Sequence, residues 1–251
     1  MDAVDWLGRL LSCRDCSHGE IREKGLCDLG RVCVRDRRAR RIDMFLSANP
    51  QEAAKYLRHP YFELRVGAAK YASVFQLRPL LDDDEGDVRA MAAQRMPLHA
   101  VERLVNDPDH KVRMVLARRV EGAALVKYLS DSDSGVRLIA TRRLPVEVLP
   151  LAMHDVDPQV RCEVARRLPP EKLAVMAGDD EARVRVIIAE RLPLEQLHLL
   201  ANDEDLRVRF AVAERATDET LRQMRDDSDP VVRGLVLSRL GEAEESQRAD
   251  A

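Results

Sequence analysis

Along most of the chain, apolar residues recur in short clusters with helical spacing. Between Asp133 and Asp155 they fall at Val136, Leu138, Ile139, Ala140 and Leu144, then at Leu149, Ala152 and Met153. Intervals of three and four put Val136, Ile139 and Ala140 on one helical face, and Leu149, Ala152 and Met153 on another. Asp133 stands just before the first cluster as a natural N-cap, and its charge favours a helix N-terminus. Pro145 cannot continue that helix but suits the first position of the next. The second stretch is short enough for a brief α-helix or a 3-10 helix. No segment shows the bounded period-two alternation of a strand. The pattern predicts an all-helical array with two short helices per unit.

The unit repeats. Arg65, Arg89, Arg113, Arg137, Arg161, Arg185, Arg209 and Arg233 lie 24 residues apart. Taking this Arg as position 0, the preceding residue is Val in seven units and Leu64 in the first. Position +4 is Ala except at Thr141 and Leu237, and position +6 is Arg except at Tyr71. Position +7 is apolar, +12 is Leu or Val, +18 is Asp without exception, and +20 is Asp or Glu. Self-similarity at this period marks a stacked array, in which one unit cannot bury both faces and neighbours complete the core. Small Ala at +4 lets helices approach closely. A ladder of Arg–Asp pairs between repeats is expected, with the Asp side chains also accepting loop amides. Counted backwards, Arg41 falls at position 0 of a degenerate first unit, with Phe45 at +4, Ala48 at +7, Ala53 at +12 and His59 where the Asp should be.

Composition narrows the class. The chain has 251 residues, 41 basic against 44 acidic, a net charge of −3 and 4% aromatics. That balance argues against a nucleic-acid protein, which would carry a basic excess. Arg outnumbers Lys by 35 to 6, and the repeat register absorbs fifteen of the arginines as scaffold. No apolar run reaches the roughly 20 residues that span a bilayer. The N-terminal MDAVDWLGRLLSC lacks the basic n-region of a secretory signal, so a cytoplasmic protein without membrane contact is expected. There is no glycine-rich phosphate loop, nucleophile motif or acid–base pair, so neither an enzyme nor a small-molecule substrate is expected.

The chemistry lies ahead of the array. Cys13, Cys16, Cys27 and Cys33 follow the spacing C-x2-C-x10-C-x5-C. Four thiols so crowded in a cytoplasmic chain favour a metal site over disulfides. Gly25 and Gly30 permit tight turns between them. Tetrahedral sulfur ligation suits both zinc and iron–sulfur, and the wider second and third gaps lean toward the larger cluster. His18 is a further zinc-ligand candidate, read here as a solvated loop residue. Cys162, at position +1, reads as a buried small hydrophobe. The run Arg35-Asp36-Arg37-Arg38-Ala39-Arg40-Arg41 would offset the negative charge of a cluster; a phosphate-binding patch for nucleic acid and a solvated helix face are the other readings.

The phrase D-x-D/E-x-x-V-R-x-x-x-A-x-R-L-P resembles the leucine-rich repeat variant proteins, and the four-cysteine segment resembles the iron–sulfur domain that precedes those repeats. The resemblance runs from about Leu11 to Leu240. It implies α- and 3-10 helices alternating in a right-handed superhelical solenoid. It also implies one [4Fe–4S] cluster on Cys13, Cys16, Cys27 and Cys33, and a bacterial setting near nitrogen-fixation genes. The expected organisation is an iron–sulfur module over 1–40, an array over 41–240 and a polar tail over 241–251. The expected role is redox activity or redox sensing, with the solenoid docking a protein partner. A structural adaptor whose cluster or zinc only caps the solenoid is the alternative.

Overall fold

Each 24-residue unit folds into one α-helix followed by a short second helix, as the apolar spacing requires. A computed structural model describes residues 3–14 and 16–241; beyond Gly241, the expected polar tail lies outside the described residues. The chain packs as two units, Met1–Val120 and Glu121–Ala251. In the first, the repeat α-helices are Ala39–Ala48, Phe62–Tyr71, Gly86–Arg95 and His110–Ala117. In the second they are Ser134–Arg143, Pro158–Arg167, Ala182–Ala189, Leu206–Arg215 and Pro230–Leu240. The second helix of a repeat is usually 3-10, as at Val146–Ala152, Pro170–Met176 and Leu194–Leu200, although Asp218–Gln223 is α-helical. Among the described residues the β pairing consists of isolated bridges, Val4 with Leu10 and Asp28 with Val32. No helix among them is long and apolar enough to cross a membrane.

Within each unit successive α-helices pack side by side. The residue before each repeat Arg, the Ala at +4 and the apolar residue at +12 are all buried, as at Val160, Ala165 and Leu173. Burying a side chain the size of Leu173 contributes about 1.5–3 kcal/mol. Thr141, an exception at +4, is also buried and satisfies its hydroxyl by donating to the Arg137 carbonyl at 2.9 Å. Cys162 is fully buried in helix Pro158–Arg167, as its register requires.

The loop acids do two jobs. The Asp at +18 accepts the backbone N–H two residues on, as Asp155 does from Asp157 at 2.8 Å. The acid at +20 is the N-cap: Asp109, Asp133, Asp157, Asp205 and Asp229 each accept a first-turn N–H. Glu85 and Glu181 hold the same place without a side-chain cap bond, because the extra methylene carries the carboxylate past the N–H groups that Asp reaches. The prolines correct the sequence reading by one residue. Pro97, Pro145, Pro169 and Pro193 are N-caps with extended ψ, so they stand just outside the second helix.

The repeat arginines tie neighbouring units together. Arg161 donates Nε and Nη2 to the two carboxylate oxygens of Asp179 at 2.7 and 2.9 Å, and Nη1 to the Asp155 carbonyl at 2.8 Å. Arg65, Arg89, Arg137, Arg185 and Arg209 make the same fork with the Asp 18 residues on. One guanidinium thus grips its own loop and the next. The Arg at +6 works backwards: Arg191 donates to the Ala165 and Leu168 carbonyls at 2.5 and 2.9 Å, and Arg95, Arg167 and Arg215 repeat this pattern. These carbonyls close the preceding α-helix, where a cation is favoured by the helix dipole.

The first unit departs from the ruler. Helix Ala39–Ala48 starts three residues after Asp36, which accepts the Arg38 N–H as the other loop acids accept theirs. By that register Ile42, not Arg41, stands where the repeat Arg stands elsewhere. Arg41 falls one position earlier and donates to buried Asp36 at 2.6 Å. Counting back from Arg65 misses this because the unit is one residue short between its two helices. His59 does occupy the Asp place: its Nδ1 accepts the Tyr61 N–H at 3.1 Å, replacing a carboxylate oxygen with a ring nitrogen.

Candidate metal centre

The segment ahead of the first repeat is mostly turns, and its glycines make them. Gly25 and Gly30 have φ of +72° and +86°, the left-handed region that side chains resist. Gly25 ends the short helix Gly19–Glu23 and turns the chain into Cys27, while Gly30 closes the turn between bridged Asp28 and Val32 ahead of Cys33. The segment is tied to the first unit by the Cys33 N–H, which donates to the Arg41 carbonyl, and by Asn49 Nδ2, which donates to the Leu26 carbonyl at 3.0 Å.

Cys27 and Cys33 are buried, while Cys13 and Cys16 are half-buried; none is in a disulfide. Cys13, Cys16 and Cys27 line one cavity of about 260 Å³ with His18, Gly19, Arg22 and Glu23. Burial pushes the Cys27 thiol up to about 11, and the neighbouring Cys33, Cys16 and Cys13 add to the rise. Burial also raises Cys33, against the pull of the backbone N–H groups of Arg35 and Asp36. All four sulfurs therefore share one electrostatic neighbourhood. Among the described residues no three Cys, His, Asp or Glu side chains are gathered tightly enough to hold a single ion. As a donor set, four soft thiols, two of them buried and shifted upward, fit a group that takes them as thiolates and supplies the positive charge they lack.

His18 corrects the sequence reading. It is buried at 7% exposure, wedged edge-on against Phe45. Its Nδ1 lies 3.5 Å from Cys16 Sγ, and its Nε2 lies 2.8 Å from the Tyr56 hydroxyl and 3.6 Å from Glu52. Burial lowers the pKa of the ring, with Glu52 opposing. The sequence alone hid this arrangement, since Tyr56 and Glu52 come from the 3-10 helix Pro50–Tyr56 of the first repeat. The basic run divides as well: Arg38 and Arg41 serve buried Asp36, while Arg35, Arg37 and Arg40 are exposed.

Comparison with known proteins matches this layout. The structure superposes on a leucine-rich repeat variant with a novel repetitive structural motif, with a TM-score of 0.84 and 38% identity, covering 91% of this chain and 98% of that one. The chain belongs to the leucine-rich repeat variant family. Residues 3–55 match the family model described as "LRV protein FeS4 cluster", so this leucine-rich repeat variant is an iron–sulfur repeat protein. An uncharacterized 27.7 kDa protein in the nifB 3' region of Rhodobacter capsulatus is 47% identical over 96 residues, 38% of this chain. The match spans 39% of that relative's length.

Proposed function

We propose that Cys13, Cys16, Cys27 and Cys33 hold one [4Fe–4S] cluster that is redox-active or redox-sensing, on a repeat scaffold that docks a protein partner. The observation that carries this is the shared site of the four cysteines: three thiols around one cavity, with Cys33 close enough to raise Cys27. A cluster bound there supplies one-electron exchange, at a potential set by hydrogen bonds to its sulfurs and by solvent exposure.

The chain's own residues supply the tuning. As a ligand Cys16 is a thiolate and only accepts, so His18 presents Nδ1–H to it and accepts a hydrogen bond from the Tyr56 O–H at Nε2. Backbone N–H groups of Arg35 and Asp36 face Cys33. Donors of this kind stabilise the more negative state and raise the potential. The array supports the docking half. Leu151, Val175 and Leu199 repeat every 24 residues in the second unit and stand exposed, a row suited to a protein surface rather than to nucleic acid. The cytoplasmic, non-catalytic setting belongs to this reading, and the nifB neighbourhood of the Rhodobacter relative agrees with a nitrogen-fixation context.

A second reading rests on the ties from Cys33 to Arg41 and from Asn49 to Leu26: the module caps the first repeat, and its metal, cluster or zinc, is structural. Solenoids need such caps. Anaerobic potentiometry separates the two. Reversible one-electron bleaching, with a lower midpoint in His18→Phe, supports the redox reading. A site that does not reduce reversibly leaves the capping role.

A further inference from the structure

A second cavity, of about 160 Å³, lies beside the cysteine site and is not formed by it. Its walls include Asp5, Trp6 and Arg9 from the N-terminal turn, Arg35 and Asp36 from the basic run, and Tyr56, His59 and Tyr61 from the first repeat. The sequence places these side chains far apart, and the repeat pattern requires none of the aromatic ones.

The hydrogen bonds around the cavity define what it can accept. Both carboxylates are engaged. Asp5 accepts the Leu7 and Arg9 N–H groups on one oxygen and Arg9 Nε on the other. Asp36 accepts the Arg38 N–H on one oxygen and Arg41 Nη1 on the other. The donors are not engaged. His59 Nδ1 is an acceptor for the Tyr61 N–H, so in the neutral ring the proton sits on Nε2. The Trp6 indole N–H, His59 Nε2 and the Arg35 guanidinium have no hydrogen-bond partner among the described residues. Trp6 lies parallel to Tyr61, with interplanar angle 10° and centroids 6.1 Å apart, and edge-on to His59. Flat aromatic walls and unused donors, with every acid neutralised, make a receptor for a small anion.

We infer that this cavity binds a small oxyanion, a planar carboxylate matching best the fork of Arg35 and the flat faces of Trp6 and Tyr61. Arg35 provides the charge-assisted bonds, Trp6 and His59 add single donors, and Asp5 and Asp36 hold the walls through their own arginines. The site communicates with the cysteines through Tyr56, which lines the cavity and bonds His18, itself next to Cys16. A bound anion would thus lie against Tyr56, whose hydroxyl is two hydrogen bonds from Cys16. Binding itself does not depend on which metal the cysteines carry.

Trp6 is the chain's single tryptophan, so its emission reports this cavity alone. Full-length protein, as isolated with its metal, is titrated at constant ionic strength with acetate, malonate, phosphate and sulfate. A saturable change in emission is expected. Saturation by a carboxylate supports the planar ligand, whereas saturation by phosphate or sulfate alone supports the oxyanion site and overturns the carboxylate preference. Arg35→Gln should weaken binding roughly ten- to hundredfold, the loss of charge-assisted bonds. Arg35→Lys should retain part of the affinity, and Arg40→Gln, an exposed neighbour outside the cavity, should retain all of it. A linear response to every anion, or equal affinities in the Arg35→Gln and parent proteins at matched circular dichroism, overturns the proposal.

Discussion

If the Arg–Asp fork locks repeats together, removing Arg161 should cost far more than a surface ion pair does. Arg161 and Asp179 side chains are 14% and 6% exposed, and the guanidinium also holds the Asp155 carbonyl. Truncating one member of so enclosed a pair strands the other, at about 3–5 kcal/mol. Among the described residues Asp179 then keeps only the Glu181 N–H as a donor, at 2.9 Å, so Arg161→Ala belongs at the upper end. Arg161→Lys retains the charge but not the fork and should recover only part. Arg142 with Glu163 provides the contrast: its side chain is 58% exposed and its Nε lies 3.5 Å from the carboxylate, so Arg142→Ala should cost at most about 1 kcal/mol. The assay is urea unfolding followed by circular dichroism, with Asp179→Ala and the double variant completing a mutant cycle. A coupling energy of about 1.5 kcal/mol or more is expected. A cost for Arg161→Ala no larger than for Arg142→Ala would refute the account of the ladder.

Other expectations test separate parts of the account. Arg191→Leu should leave the Ala165 and Leu168 carbonyls without their cation and lower stability by about 1–3 kcal/mol in the same unfolding assay. The Arg209 fork holds the Asp227 carboxyl below its ordinary value of 3.8; a depressed acid stabilises the fold above that pH and loses its contribution as pH falls below it. Acid unfolding should therefore be less steep below pH 3.8 in Asp227→Asn, which is less stable at neutral pH. Gly86→Ala would set its Cβ 1.9 Å from Asp109 Oδ2. Displacing that N-cap should cost about 1 kcal/mol in thermal unfolding.

How much of this was legible depended on whether a contact is local to the repeat. The period, the buried Val, Ala and Leu positions and the Asp ladder follow from residue spacing, because every unit solves the same packing problem. Asp133 announced its cap in the sequence. The Arg at +6 was visible as a regularity but its role was not, since its partners are backbone carbonyls of the preceding unit and leave no side-chain signature. Arg41 misled because one missing residue shifts a helix without disturbing the arginines that follow. His18 looked like a loop histidine because Phe45, Glu52 and Tyr56, which enclose it, lie more than 25 residues away. The cavity at Trp6 has the same origin: three distant segments meet there, and no spacing rule joins them. The expectation of a metal site, by contrast, rested on the number and crowding of the cysteines alone.

The central proposal is that these four cysteines carry a [4Fe–4S] cluster. Iron, zinc and acid-labile sulfide measured on protein purified without oxygen, beside Cys27→Ser and Cys162→Ser, test it most directly. The account predicts a brown protein with about four iron and four sulfide per chain, lost in Cys27→Ser and kept in Cys162→Ser. A colourless protein with one zinc per chain, or a cluster that survives Cys27→Ser, would contradict it.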